Sequence, residues 1–205
     1  MADAMQPLPL SALAGSITPG RKGRRSGGPG VLVEEVRPSG IATIIARQGQ
    51  TEALAAKVRL DLGCDLPLKP RRVDSAGVAL IWAGPGRWLA LAAADHVDAP
   101  FAADLETRLS GLASVMDQGH ALSLLRLSGP RVRDALAKGF PIDLHPRAFG
   151  PDDAAITLVS HITAHIWQTR ADPVYEVAVA RSLAASFWHW LEASAAEYGL
   201  QIEGG

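Results

Sequence analysis

Cysteine is almost missing from this sequence. Cys64 stands alone among 205 residues, so no intrachain disulfide can form, and a reducing, cytoplasmic setting is expected. No apolar run is long enough to cross a bilayer, which speaks against a membrane span. No basic cluster followed by an apolar core opens the chain, so no signal peptide is expected. Charge is nearly balanced at −1, which gives overall charge no role in holding nucleic acid or a membrane surface. Aromatic residues are few, at 5%, yet five of them are tryptophans. Against these shortages stands a hydrophobic fraction of 48%, enough to fill the core of one domain or of two intimately fused halves.

Residues 1–30 read as a flexible N-terminal arm, with a basic, glycine-rich stretch at 20–30 (GRKGRRSGGPG) that has little to bury. No aromatic interleaves its basic residues, so a nucleic-acid arm is not favoured, and Arg24 and Arg25 become candidates for contact with a protein partner. Regular patterning starts at residue 31. Strands are expected over 31–36 and 41–47, a helix over 52–62 ended by Gly63, strands over 76–82 and 87–93, and a helix over 101–112 capped by Asp98 or Ala99. The same order then recurs: strands over 114–118 and 121–127, a helix over 130–138, strands over 155–160, 162–169 and 174–180, and a helix over 182–198. The fold class is therefore α+β, a β2-α-β2–3-α unit made twice, with pseudo-repeats at about 31–113 and 114–205 inside one domain.

The unit is centred on the turn Ser128-Gly129-Pro130, which ends an apolar strand and opens a short helix. Ser128 or Gly129 is expected to cap that helix, Pro130 to occupy its first turn, and Gly139 to end it in the left-handed conformation. Ser128 lacks the flanking glycines of a nucleophile elbow, so capping is its better role. Arg131 and Arg133 beside the turn suggest an anion site, with solvated arginines as the plainer alternative.

Period-two alternation puts His161, Thr163, His165 and Trp167 on one outward strand face. Two imidazoles there suggest zinc, but no CxxC, HExxH or suitably spaced carboxylate accompanies them. That face, and Trp188 at the border of the last helix's apolar stripe, are the expected partner contacts.

Asp117, Gln118, the run 122–130 (LSLLRLSGP), Ala135, Leu136, Gly139 and 141–144 (PIDL) resemble the opening of the folate-binding domain in the glycine-cleavage T-protein superfamily. Four stretches more closely resemble the gamma-subunit family of heterotetrameric sarcosine oxidase: 82–89 (WAGPGRWL), 125–130 (LRLSGP), 138–149 (KGFPIDLHPRAF) and 181–188 (RSLAASFW). The catalytic members of the superfamily carry a Gly-Gly-Ile-x-Asp-Asp type segment where this chain has 160–168 (SHITAHIWQ), without the paired carboxylates. The resemblance therefore implies a folate-domain fold kept for assembly, with no catalytic, cofactor or metal residue in this chain. It implies a complex with alpha, beta and delta subunits that demethylates sarcosine oxidatively. FAD, FMN, NAD and tetrahydrofolate would belong to those other subunits. The alternative is a free-standing folate-dependent, aminomethyltransferase-like protein, which would need another acid such as Asp117 or Asp143.

Overall fold

Strands that are apolar on both faces must be covered on both faces, and the architecture follows from that need. In the computed structural model, residues 11–75, 77–93 and 100–203 are described. The first half gives β1 (Gly20–Lys22), β2 (Val31–Val36), β3 (Gly40–Ala46), α1 (Thr51–Leu62), β4 (Arg72–Ser75), β5 (Val78–Trp82), β6 (Arg87–Ala92) and α2 (Phe101–Arg108). The second gives β7 (Ala113–Asp117), β8 (Leu122–Ser128), α3 (Val132–Ala137), β9 (Ala154–Val159), β10 (Ile162–Arg170), β11 (Val174–Ala180), α4 (Ala184–Ala195) and β12 (Leu200–Ile202).

The strands form a seven-stranded sheet, β1-β12-β2-β8-β11-β10-β9, and a five-stranded sheet, β4-β5-β6-β3-β7. β2 and β7 each join the sheet of the other half: β2 pairs with β8, and β7 with β3, both antiparallel. Between the sheets lies a core that includes Ile41, Ile81, Leu89, Leu91, Leu124, Trp167 and Ala178. The outer face of the larger sheet packs on α3 and α4 through Leu125, Leu127, Val177, Leu136, Phe187 and Leu191. The outer face of the smaller sheet packs on α1 and α2 through Ile44, Leu80, Trp88, Leu54, Val58 and Leu105. The α+β class and the doubled element order are thus present in the structure.

Several local expectations change. Of the expected arm, residues 1–10 lie outside the described residues, but the remainder is built into the fold. Leu13 is buried in the helix-side core of the larger sheet, and β1 pairs antiparallel with β12. The helix expected from Pro130 starts later, with Arg131 at its N-cap and no side-chain cap. Ser128 is the last residue of β8, so it caps nothing, and Pro130 precedes the helix. Gly139 is not left-handed; a Cβ there would collide with the Trp190 ring, so close packing explains the glycine. α2 ends at Arg108, and its N-cap is Pro100; the expected caps Asp98 and Ala99 lie outside the described residues. The last helix is shorter than its pattern, flanked by single 3-10 turns Arg181–Leu183 and Ala196–Tyr198, and Leu183 faces solvent. Gly63 does end α1, at φ 66°.

Candidate partner surface

Strand register carries four side chains into one row across the larger sheet. Glu34 of β2 lies opposite Arg126 of β8, Arg126 opposite Glu176 of β11, and Glu176 opposite Trp167 of β10. Arg126 donates to Glu176 Oε1 through Nη2 at 2.8 Å and Nε at 3.0 Å, and to Glu34 Oε2 at 3.2 Å. Trp167 Nε1 donates to Glu176 Oε2 at 2.9 Å. Burial pulls the Arg126 guanidinium down, but the hydrogen bonds and charges of Glu176 and Glu34 carry it above its ordinary value. Both Glu176 oxygens accept hydrogen bonds, so this buried carboxylate ties β8 to β10 as a clamp. The row was readable in part: Leu125-Arg126-Leu127 and Tyr175-Glu176-Val177 each set one charge inside an apolar strand.

The expected partner residues separate sharply. Trp167 is fully buried between the sheets, because the strand face taken as outward is the face that the smaller sheet covers. Trp188 is 2% exposed, projects from α4 into the helix-side core, and has Lys22 Nζ 5.8 Å from its ring centre. Neither tryptophan reaches the surface, so neither can be an exposed anchor. His161 is exposed but sits in the β9–β10 turn at φ 70°, beside Ser160 at φ 46°, as a two-residue hairpin turn demands. His165 is half-buried with its Nδ1 unpartnered; burial, and then the Arg87 charge, pulls its imidazole down to about 4. Arg24 is exposed and pinned: its N–H donates to Ala196 O at 2.8 Å and its Nη2 to Tyr198 O at 3.3 Å. Arg25 is exposed.

The other sequence candidates serve structure. Arg131 pairs with Asp134 at 2.9 Å and lies 5.0 Å from the Tyr198 ring centre. Arg133 Nε donates to Tyr175 Oη at 2.9 Å, so the expected anion site has its cations engaged. Asp117 and Asp143 are exposed, and each accepts a main-chain N–H two residues on, from Gly119 and His145, both at 2.8 Å. Cys64 is buried, and burial pushes its thiol up. Among the described residues, no group of three His, Cys, Asp or Glu side chains is placed to hold a metal.

Among the described residues, an apolar strip on β9 is left partly exposed. On β9, Ala154, Ile156 and Leu158 share the face of Trp167, as the pairs Trp167↔Ala154, His165↔Ile156 and Thr163↔Leu158 require. Ala154 is buried under the smaller sheet, whereas Ile156 is 38% and Leu158 54% exposed. The strip therefore emerges from beneath that sheet at the edge of the larger one. With exposed Thr163 opposite Leu158 it forms a small patch, bordered by half-buried His165 opposite Ile156. The signal for it is in the sequence: 154–159 (AAITLV) is apolar at nearly every position, as a strand buried on both faces would be.

Residues 47–197 match the sarcosine oxidase, gamma subunit family. A sarcosine oxidase subunit gamma from Arthrobacter sp. is 38% identical over 111 residues, which is 53% of this chain and 53% of that protein. Another, from Corynebacterium sp. (strain P-1), is 36% identical over 123 residues, 60% of this chain and 59% of that protein. The matched stretch thus spans between half and two thirds of these relatives' own length. Among solved structures, a chain of the heterotetrameric sarcosine oxidase from Corynebacterium sp. U-96, in complex with pyrrole 2-carboxylate, superposes at TM-score 0.72 with 28% identity, covering 84% of this chain and 87% of that one. The glycine cleavage system aminomethyltransferase T from Bartonella henselae shares the fold at TM-score 0.58 and 15% identity, over 86% of this chain and 48% of that one.

Proposed function

The chain belongs to the sarcosine oxidase gamma subunit family, and we propose that it is the non-catalytic gamma subunit of a heterotetrameric sarcosine oxidase. The observation that carries this reading is the superposition of 84% of the chain on a chain of such an enzyme. In the proposed assembly it stands beside alpha, beta and delta subunits. The complex demethylates sarcosine oxidatively to glycine and hydrogen peroxide. The methyl carbon leaves as formaldehyde or passes to tetrahydrofolate, and FAD, FMN, NAD and the folate are held by the other subunits.

The chemistry of the chain supports a role in assembly. The segment 160–168 (SHITAHIWQ) carries no carboxylate, and Glu176, the carboxylate of the inter-sheet row with least exposure, has both oxygens engaged. General acid–base catalysis needs a group free to take and return a proton near its working pH. What the chain offers instead is surface: the strip Ile156–Leu158 with Thr163. Apolar side chains left half-exposed on a sheet edge gain about 0.5–1.5 kcal/mol each when a partner buries the remainder.

The test is co-expression of the tagged chain with the three other subunits. Ile156→Asp with Leu158→Asp should abolish co-purification and sarcosine-dependent peroxide formation together, while the variant chain melts as the parent does. A chain that elutes alone when all four are co-expressed, or that retains flavin absorbance after dialysis on its own, defeats the proposal.

A further inference from the structure

The halves are alike up to a point, and the place where the likeness stops is informative. In the larger sheet β8 is flanked by β11 and β2; in the smaller, β3 is flanked by β6 and β7. β2 and β7 thus hold equivalent positions, each antiparallel to its central strand. Beyond β2 the larger sheet continues: β12 lies parallel to it, with Leu200↔Val31, Gln201↔Leu32 and Ile202↔Val33. Leu200 and Ile202 send their side chains into the helix-side core. Beyond β7, the smaller sheet ends among the described residues.

The β7 edge presents alternate main-chain groups outward. Gln118 N–H donates to Ile41 O, and the register then turns the main-chain groups of Met116 and Ser114 towards β3. The amides and carbonyls of Val115 and Asp117 point out of the sheet. Met116 is 48% exposed. A cavity of about 550 Å³ opens beside the same strand; Val115 and Asp117 line it, with Gly40, Phe101, Ala102 and Glu106. Its lining continues onto Ser11, Pro100, the 35–41 connection and the start of β8 at Leu122 and Leu124, so it reaches from β7 across the β2–β3 connection to β8. The other edge of this sheet is closed differently: Arg72 N–H donates to Asp152 O at 2.7 Å, and Ala154 N–H to Pro70 O at 3.0 Å, tying the β4 end to the chain entering β9.

We propose that β7 takes up an extended segment from another polypeptide of the complex, in the place and parallel direction that β12 takes on β2. The segment bears apolar residues at alternate positions, as Leu200-Gln201-Ile202 does, and their side chains enter the cavity beside Val115 and Phe101. Main-chain hydrogen bonds give such strand addition its affinity, and the alternate pockets its selectivity. This assignment rests on the chain's proposed membership of a hetero-assembly.

The experiment compares amide hydrogen exchange at Val115 and Asp117 in the chain alone and in the co-expressed complex. Both amides should slow at least tenfold in the complex. Asp117→Pro removes an outward N–H without breaking a bond to β3 and should lower recovery of the complex at least tenfold, whereas Asp117→Ala, which loses the same Gly119 contact but keeps the N–H, should assemble as the parent does. Asp117→Asn keeps the N–H and the Gly119 contact, and should assemble as the parent does. If the parent complex forms and the two amides exchange as fast as in the free chain, strand addition at β7 is wrong while the gamma-subunit reading stands. If the parent chain never joins the other subunits, both fail. Protection that appears in the isolated chain together with a dimer mass assigns the edge to a second copy and overturns the assignment to another polypeptide.

Discussion

Gly129→Ala probes the junction at which the two ends of the chain are locked to the central strand. Gly129 follows β8 at φ 105°, and a Cβ there would lie 2.6 Å from the Gly30 carbonyl oxygen and 3.2 Å from Val31 Cα. That carbonyl has little freedom to retreat. It accepts the Arg131 N–H at 2.9 Å, and the Gly30 N–H donates to Tyr198 O and Gly199 O, each at 2.9 Å. The substitution therefore carries two costs. An L-residue held at positive φ costs about 1–2 kcal/mol. Displacing Gly30 weakens at least one main-chain hydrogen bond, about 1 kcal/mol more. A total of about 3 kcal/mol corresponds to a fall in Tm of roughly 6–12 °C for a chain of this size. Two companions separate the costs. Gly27 has φ 73° with open space around it, and Gly28 has neither the positive φ nor a neighbour within 4 Å. Thermal unfolding followed by circular dichroism should rank the alanine variants with Gly28 unchanged, Gly27 down by about 1 kcal/mol, and Gly129 lowest. A Gly129→Ala midpoint within about 1 °C of Gly28→Ala refutes both the close approach and the strain.

Trp167→Ala should destabilise the chain itself by about 3–5 kcal/mol in urea unfolding, because it empties the inter-sheet core and strips a donor from Glu176; an unchanged midpoint would put the ring at the surface. Neutralising Arg24 and Arg25 together should move stability by less than about 0.5 kcal/mol in the same assay, since both are exposed. His165, at about 4 when folded against an ordinary 6.5, gives a pH dependence of known sign. The unfolded chain takes the proton first, so stability is full above about pH 6.5 and falls as pH drops towards 4, by up to about 3 kcal/mol, and His165→Gln should flatten that limb of the denaturation profile. The isolated chain should show no flavin absorbance and no sarcosine oxidation, checked by its visible spectrum after dialysis and by a peroxide assay.

Legibility followed length and periodicity. α1 was plain in the sequence because Leu54 and Val58 repeat at helical spacing and Gly63 closes it. β1, β4 and β12 were not, since three or four residues hold too little alternation to stand out, and β1 and β12 exist by pairing with each other. The basic stretch 20–30 looked like an arm because its ordering comes from distant groups: Lys22 pairs with Glu192 at 2.8 Å and the Gly23 backbone lies against Ala196. The Trp167 face was misplaced for a related reason. Alternation divides a strand into two faces but does not say which is wet, and a second sheet covers the more polar one. The Gly139 position was identified for the wrong cause, since a ring from α4 is invisible to local sequence.

The exchange of β2 and β7 explains how one chain comes to have two unlike faces. β2 and β7 each join the sheet of the other half, so a cut near residue 113 would take β1 and β2 from the larger sheet and β7 from the smaller. Two equal halves joined this way would carry equivalent edges and favour symmetric self-association. The likeness is broken on one side only. The larger sheet is extended by β12 and β1 and held by Leu13, while the smaller sheet stops at β7 among the described residues. The apolar strip Ile156–Leu158 belongs to the larger sheet, and the β7 edge belongs to the smaller. An isologous dimer needs one patch that complements itself. Among the described residues this chain has two patches of different chemistry, an apolar strand face and a row of outward-facing main-chain groups, and under the proposed function that arrangement suits unlike neighbours.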